Sequence, residues 1–178
     1  FSIVARGQYE YNYIRYTIKD GLPSNKIYDM IEDDKGFLWI ATDNGLKRYD
    51  GYTTKVFVDS SSSPNSSNVI TKVIFQDDQL WAANLNLNRY FPEKEAFETY
   101  NVADGHFIWG LLKQGNTLWY GGEGFGLRGV DINTMEQTHQ AFTRDDERFV
   151  KEIKKDIHFS LLREHWKSII MNLILKTY

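Results

Sequence analysis

The sequence predicts an all-β protein built of repeated four-stranded sheets, and three observations support that prediction. Aromatic residues make up 15% of the 178 residues, with 11 Tyr, 11 Phe and 5 Trp, and such side chains favour the half-buried faces of strands. The chain has 13 Gly and only 3 Pro, which is typical of many tight turns. A pattern of about 40 residues also recurs three times along the chain.

Four landmarks at nearly fixed spacing define this repeat. Each copy has an apolar anchor, a Trp twelve residues later, a Leu six to eight residues after the Trp, and an aromatic or aliphatic residue three positions beyond the Leu. The anchors lie 42 and 38 residues apart. A period of this length made of short strands is typical of β-propeller blades. The landmarks are, copy by copy, Ile27, Trp39, Leu46 and Tyr49; Val69, Trp81, Leu87 and Tyr90; and Phe107, Trp119, Leu127 and Val130, with Phe57, Tyr100 and Phe142 closing the copies.

The first copy shows how one unit should fold. Alternating and apolar runs predict strands over residues 27–32, 37–42, 46–49 and 52–58, with turn residues between them. The Asn44-Gly45 pair predicts a primed hairpin turn between the second and third strands, because both residues tolerate positive φ.

The turns of the other two copies carry different residues. In the second copy, strands are predicted over 69–75 and 80–83, and Asn84 and Asn86 must supply any left-handed conformation because that turn has no Gly. In the third copy, the Gly-rich run 121–126 fills the same hairpin position. It is interpreted as a turn, since the Lys-Ser/Thr ending and the strand-to-helix context of a phosphate-binding loop are missing.

Both ends of the chain depart from the repeat. Residues 13–18 predict an orphan strand before the first blade, and residues 1–12 are either the remnant of a secretory signal peptide or a frayed start, with Ala5 and Gly7 spaced as a cleavage site. A fourth copy begins near Phe149, but Leu161 stands where its Trp is expected. Residues 149–178 are therefore predicted as a degenerate fourth-blade start with a helical tail.

The predicted organisation follows from these limits. Blades span about residues 25–58, 68–100 and 106–143 within a propeller region at 13–148. The fold class is an incomplete β-propeller, all-β, of about three four-stranded blades plus the orphan strand. Three blades do not close a ring, so the chain is interpreted as part of a longer architecture.

Three stretches of the first copy resemble the two-component regulator propeller repeat. They are DGLPSN at 20–25, IEDDKGFLWIAT at 31–42 and NGLKRYDG at 44–51. The resemblance is strong over residues 16–58, moderate over 69–142 and absent after about residue 157. It implies the periplasmic sensor region of a hybrid two-component histidine kinase of the Bacteroidota type.

The resemblance also implies a setting for the chain. In that family, seven-bladed propellers precede an immunoglobulin-like domain, a membrane helix and a kinase, within a dimeric inner-membrane receptor that often responds to oligosaccharides. The implied function is a non-catalytic module for ligand sensing or interaction, whose partners are an oligosaccharide, the remaining blades and the downstream domains. No kinase segment is recognised in this chain.

The residues themselves suggest little chemistry. The net charge of −3 argues against a nucleic-acid surface, the absence of Cys excludes thiolate chemistry, and no run of about 20 apolar residues could span a bilayer. The four His show no metal-ligand spacing, so no metal or cofactor is predicted. Asp33-Asp34 and Asp77-Asp78 are paired carboxylates, but they occupy equivalent turns, which favours a role in the turns over glycoside hydrolysis.

The repeat Trp residues are predicted to be blade core. Trp109 has no counterpart among the landmarks of the other copies and is the one candidate for ligand contact. Two alternatives to the sensing module stay open. One is a propeller enzyme that acts on glycans, a glycosidase or lyase, and the other is a non-functional fragment of a longer receptor.

Overall fold

Each of the three repeats folds as one antiparallel sheet of four strands, which we call a blade. The computed structural model describes residues 17–22, 24–58, 67–122 and 124–141. Within each sheet the strands follow one another in chain order. The strands are β1 Ile27–Glu32, β2 Leu38–Thr42, β3 Gly45–Tyr49 and β4 Thr54–Phe57 in blade 1; β5 Lys72–Gln76, β6 Gln79–Ala83, β7 Leu87–Phe91 and β8 Ala96–Tyr100 in blade 2; and β9 Gly110–Gln114, β10 Thr117–Gly122, β11 Gly126–Asp131 and β12 Gln137–Ala141 in blade 3.

The predicted all-β class and the four-stranded repeat unit are confirmed. The predicted orphan strand is wrong at its last residue, since Ile18 begins a short 3₁₀ helix, Ile18–Asp20. Residues 1–16, the closing landmark Phe142 and the predicted tail 149–178 lie outside the described residues.

Two predicted strands are shorter in the structure for identifiable reasons. The last strand of blade 1 starts at Thr54, because the Asp50 carboxylate accepts hydrogen bonds from the backbone N–H groups of Tyr52 and Thr53 and holds them in a turn. The first strand of blade 2 starts at Lys72, because Ile70 donates its backbone N–H to the preceding blade.

The hairpin turns use a different chemistry from the one predicted. In blade 1 the two turn residues are Asp43 and Asn44, since Thr42 pairs with Gly45. Of residues 42–45, Gly45 is the one with a left-handed φ, +110°. Since Asn44 does not have one, the primed turn predicted at Asn44-Gly45 is wrong. In blade 2 no residue from 84 to 86 has a positive φ. The Asn84 side chain instead accepts the Asn86 backbone N–H at 2.8 Å and closes the turn in place of a glycine.

The repeat Trp residues form the core, as predicted. Trp39, Trp81 and Trp119 are 1%, 0% and 5% exposed. Trp39 lies in a cluster that joins blade 1 to blade 2, and Trp81 lies in a cluster that joins blade 2 to blade 3. The core is therefore placed between the blades, which fixes each sheet against its neighbour.

Backbone hydrogen bonds also connect consecutive blades. Ile70 donates its N–H to the Thr42 carbonyl at 2.8 Å, and Ile108 donates its N–H to the Asn84 carbonyl at 2.8 Å. In both cases a residue just before the first strand of a blade is bonded to the preceding blade, at the hairpin between its second and third strands. These hairpins and the connections between blades consequently share one face of the molecule.

Candidate ligand-binding site

Trp109 lies on the connection that leads into blade 3, on the face that carries the hairpins. Its backbone N–H donates to the Gly121 carbonyl at 2.9 Å, which anchors it beside β10. Its ring is half-buried, 6.2 Å from the Tyr28 ring and 5.8 Å from the Phe107 ring between centroids. We call Tyr28, Phe107 and Trp109 the aromatic cluster.

Trp109 has counterparts in the other blades, contrary to the sequence interpretation. In each blade, one residue of the first strand pairs with the residue that stands two positions after the repeat Trp. These pairs are Asp29 with Ala41, Lys72 with Ala83, and Gly110 with Gly121. The residues just before them, Tyr28, Thr71 and Trp109, are therefore equivalent. Because Thr71 is short and buried, Tyr28 and Trp109 can meet although they belong to blades 1 and 3.

The sequence signal for Tyr28 is hidden by one irregularity. Tyr28 stands eleven residues before its Trp, whereas Trp109 stands ten before its own. The extra residue lies in the turn between β1 and β2. Ile31, the partner of Trp39, stands eight residues before it, whereas Ile74, the partner of Trp81, stands seven residues before that Trp. Counting back from the repeat Trp with one residue of tolerance would find Tyr28.

A cation lies beside the aromatic cluster. The Lys26 ammonium stands 5.1 Å from the centroid of the Tyr28 ring, a distance at which a cation is attracted to the ring face. A side-chain hydrogen bond with Tyr28 raises the pKa of Lys26, and the Asp43 carboxylate adds a smaller contribution in the same direction. Lys26 therefore stays charged at neutral pH and offers a donor next to the rings.

Glycines of the β10–β11 hairpin allow the connection to approach closely. A Cβ at Gly122 would lie 2.2 Å from the Phe107 carbonyl oxygen, and one at Gly124 would lie 2.6 Å from the His106 ring. Gly124 also has a φ of +102°. The Gly-rich run is thus a hairpin, as predicted, and its second role is to leave room for Phe107.

The paired carboxylates serve the turns. Asp33 accepts hydrogen bonds from the Phe37 backbone N–H at 2.9 Å and from the Trp39 indole N–H at 2.8 Å. Asp77 and Asp78 both adopt left-handed φ values, 50° and 58°. Over the described ranges, no group of three or more His, Asp or Glu could hold a metal ion.

The aromatic cluster is suited to binding rather than to bond making. Half-buried rings offer flat apolar surface, and Lys26 and Asp43 at the edge offer a donor and an acceptor, which is the composition of small-molecule sites. His106 precedes Phe107, with its ring next to Gly124, and the His139 ring packs on Trp119 at 4.9 Å between centroids. His158 and His165 lie outside the described residues.

Comparison with known proteins finds one matching family and several similar solved structures. Residues 21–44 match the family described as two component regulator propeller. The extracellular domain of BT3049 of B. thetaiotaomicron, described as a hybrid two component system, is similar with a TM-score of 0.62 and 25% identity, over 75% of this chain and 20% of that one. The extracellular domain of BT4673 of the same bacterium shares the fold, with a TM-score of 0.62 and 19% identity, over 74% of this chain and 18% of that one.

The chain thus spans about a fifth of the length of these structures. No curated protein sequence matches it. Among the described residues, no helix has the length and hydropathy needed to cross a membrane.

Proposed function

We propose that this chain, whose residues 21–44 are a two-component regulator propeller repeat, is part of the extracytoplasmic sensor of a hybrid two-component system. Its role is to bind a ligand and to pass the bound state to neighbouring parts of a receptor. The likeness to the extracellular domain of a hybrid two component system at 25% identity supports this setting. A periplasmic location and an inner-membrane receptor belong to the same proposal.

The aromatic cluster is the observation that carries the binding function. The three residues come from two blades, yet their rings lie close together. The centroid of the Trp109 ring is 6.2 Å from that of Tyr28 and 5.8 Å from that of Phe107. The three residues are only partly buried, and Lys26 lies over the Tyr28 ring, so the arrangement offers a surface to a ligand. Binding residues are commonly held in this way, on connections positioned by a rigid scaffold.

Oligosaccharides are the ligand class we propose. A pyranose ring has an apolar face that covers an aromatic side chain and a rim of hydroxyl groups that bond to polar neighbours. The aromatic cluster supplies the first kind of contact, and Lys26 and Asp43 supply the second. The remaining blades, the downstream domains and a dimeric receptor are the protein partners that this proposal implies.

A glycan array tests the proposal directly. The purified chain should bind one class of oligosaccharide, and Trp109→Ala should weaken that binding in isothermal titration. Tyr52→Ala is the matched control, because Tyr52 is 95% exposed on the opposite turn of blade 1 and should leave binding unchanged. Absence of binding to any glycan would count against sensing of saccharides.

The same ligands distinguish sensing from turnover. Chromatography of the bound oligosaccharides after prolonged incubation should return them unchanged. Release of a shorter or an unsaturated product would favour a propeller glycosidase or lyase instead.

A further inference from the structure

An open groove of about 500 Å³ runs between blades 1 and 2, along the outer strand β4. Its volume lies within the range of about 300–1,000 Å³ that small-molecule sites occupy. The groove is separate from the aromatic cluster, which lies at the first strands. Its lining includes Leu46, Ile70, Ala82, Asn88, Phe97 and Thr99.

Two short side chains of blade 2 create the groove. Ala82 pairs with Val73 and Asn88, and Tyr120 of blade 3 pairs in the same way with Leu111 and Arg128. Ala82 therefore stands where blade 3 has Tyr120, and Asn88 stands where blade 3 has Arg128.

The longer side chains fill the corresponding space between blades 2 and 3. The Tyr120 hydroxyl donates to the Val102 carbonyl at 3.2 Å, and the Arg128 guanidinium donates to the same oxygen at 3.1 Å. Ala82 and Asn88 are shorter than these side chains, and both line the groove.

The Asn88 and Thr99 side chains give the groove a wall with hydrogen-bond acceptors. The Asn88 amide N–H₂ donates to the Ala82 carbonyl and to the Asn84 side chain, at 3.3 and 3.2 Å. The Thr99 hydroxyl donates to the Asn88 side-chain oxygen at 2.8 Å. The oxygens of Thr99 and Asn88 still have lone pairs, and these match a ligand whose own hydroxyl groups donate.

The described residues that line the groove carry little net charge. Among its described lining residues Glu95 alone is charged. Both of its carboxylate oxygens are ion-paired, with Arg48 at 2.9 Å and with Lys55 at 2.7 Å. A charged ligand would meet no unpaired counter-ion there and would lose hydration on entry.

We propose that this groove binds one uncharged sugar ring, with its apolar face on Phe97 and Ile70 and its hydroxyl groups on Thr99 and Asn88. The inference rests on the proposed function and adds a second subsite to it. One backbone hydrogen bond connects the two subsites. The carbonyl of Asn84, which lines the groove, accepts the N–H of Ile108, which stands between Phe107 and Trp109.

Monosaccharide probes separate the two subsites. Saturation-transfer NMR would be recorded with methyl glycosides of glucose, galactose, mannose and xylose, and with glucuronate as the charged probe. We expect a signal from a neutral glycoside and none from glucuronate. In the Trp109→Ala protein, which lacks the first subsite, a signal should remain, and adding Ala82→Tyr, which copies blade 3, should abolish it.

A second variant guards against misfolding of Ala82→Tyr. Thr99→Val removes the hydroxyl without changing the shape of an exposed side chain, and it should also reduce the signal while leaving the melting temperature nearly unchanged. Loss of the neutral signal in Trp109→Ala together with its survival in Ala82→Tyr and Thr99→Val would overturn the groove and leave saccharide sensing standing. A signal from glucuronate alone would overturn the neutral class, and no signal from any glycan in either assay would overturn the proposed function as well.

Discussion

The two interfaces between blades solve the same packing problem with different side chains. Between blades 1 and 2, Trp39 meets Phe57, Tyr90 and Phe97 at ring distances of 5.6, 4.8 and 6.2 Å. Between blades 2 and 3 the cluster is mainly aliphatic, and Tyr120 and Arg128 extend beyond it to the connection.

The difference shows how one repeat yields two kinds of joint. The first interface concentrates aromatic contacts next to the Trp and leaves a groove further out. The second has no such concentration and fills its outer part with hydrogen-bonded side chains. Their ion pairs differ on the cation side, since the Arg48 and Lys55 side chains are 18% and 41% exposed and the Lys113 side chain is 5% exposed, whereas the carboxylates of Glu95 and Asp77 are both exposed.

Truncation of Trp39 should have the largest effect. Trp39→Ala removes the ring that the other three aromatics contact and leaves a cavity, so we expect a loss of about 3–5 kcal/mol in the free energy of unfolding. Urea denaturation followed by far-UV circular dichroism measures it, with the exposed Tyr52→Ala as control. A loss below about 1 kcal/mol, the central value for ordinary substitutions, would show that the aromatic contacts do not hold this interface.

Removal of the Asp77 charge should weaken the second interface by an intermediate amount. Asp77→Asn leaves the buried ammonium of Lys113 without its counter-ion, at a cost of about 1–3 kcal/mol. Asp78→Asn is the matched control, because Asn tolerates the same left-handed φ and Asp78 stands next to Asp77 in the turn. Equal melting temperatures for the two variants would contradict the role of the ion pair.

Loss of the Tyr120 hydroxyl should cost less. Tyr120→Phe removes one hydrogen bond to the Val102 carbonyl, which predicts a loss of about 1 kcal/mol. Tyr90→Phe is the corresponding change at the first interface, where the Tyr90 hydroxyl accepts from Arg48 at 2.8 Å. Chemical denaturation of both variants measures how much each hydroxyl contributes to the free energy of unfolding at its interface. Unchanged stability of Tyr120→Phe would mean that the Arg128 hydrogen bond to the same carbonyl suffices to hold the connection.

The Glu95 ion pairs should contribute least and depend on pH and salt. The hydrogen bond from Lys55, and then that from Arg48, hold the pKa of Glu95 below its usual value of 4.5. A lowered folded-state pKa gives stability that is present above the unfolded value and lost as the pH falls through the folded one. The stability difference between wild type and Glu95→Gln should therefore shrink in acid and in high salt.

Melting curves from pH 7 to pH 3, at low and high salt, measure this difference. Glu93→Gln, a change at an exposed residue of the same turn, provides the baseline. A difference that persists unchanged at pH 3 would exclude the ion pairs as its cause.

The fold was predictable because the repeat places the same residue types at the same positions three times. Each blade has its repeat Trp in the second strand, at Trp39, Trp81 and Trp119. The spacing of these residues therefore indicates the length of a blade and the position of its core. The turns were harder to predict, because Asn84 closes a hairpin through its side chain and not through its backbone conformation.

The candidate site was only partly predictable. Trp109 stood out because it is an aromatic residue off the landmark pattern, but the longer turn between β1 and β2 concealed its equivalence to Tyr28. The groove gave no sequence signal, because Ala82 and Asn88 are ordinary strand residues. Their small size becomes apparent only from the strand pairing, which shows that Tyr120 and Arg128 occupy the same positions in blade 3.

The bonds from Ile70 to Thr42 and from Ile108 to Asn84 have a consequence for how such chains can evolve. Both are formed by backbone atoms alone, so they do not depend on which side chains surround them. A duplicated or inserted blade brings its own donor and finds its acceptor on any preceding hairpin of the same shape. The number of blades can therefore change by whole units while each interface, like the two seen here, diverges toward its own packing.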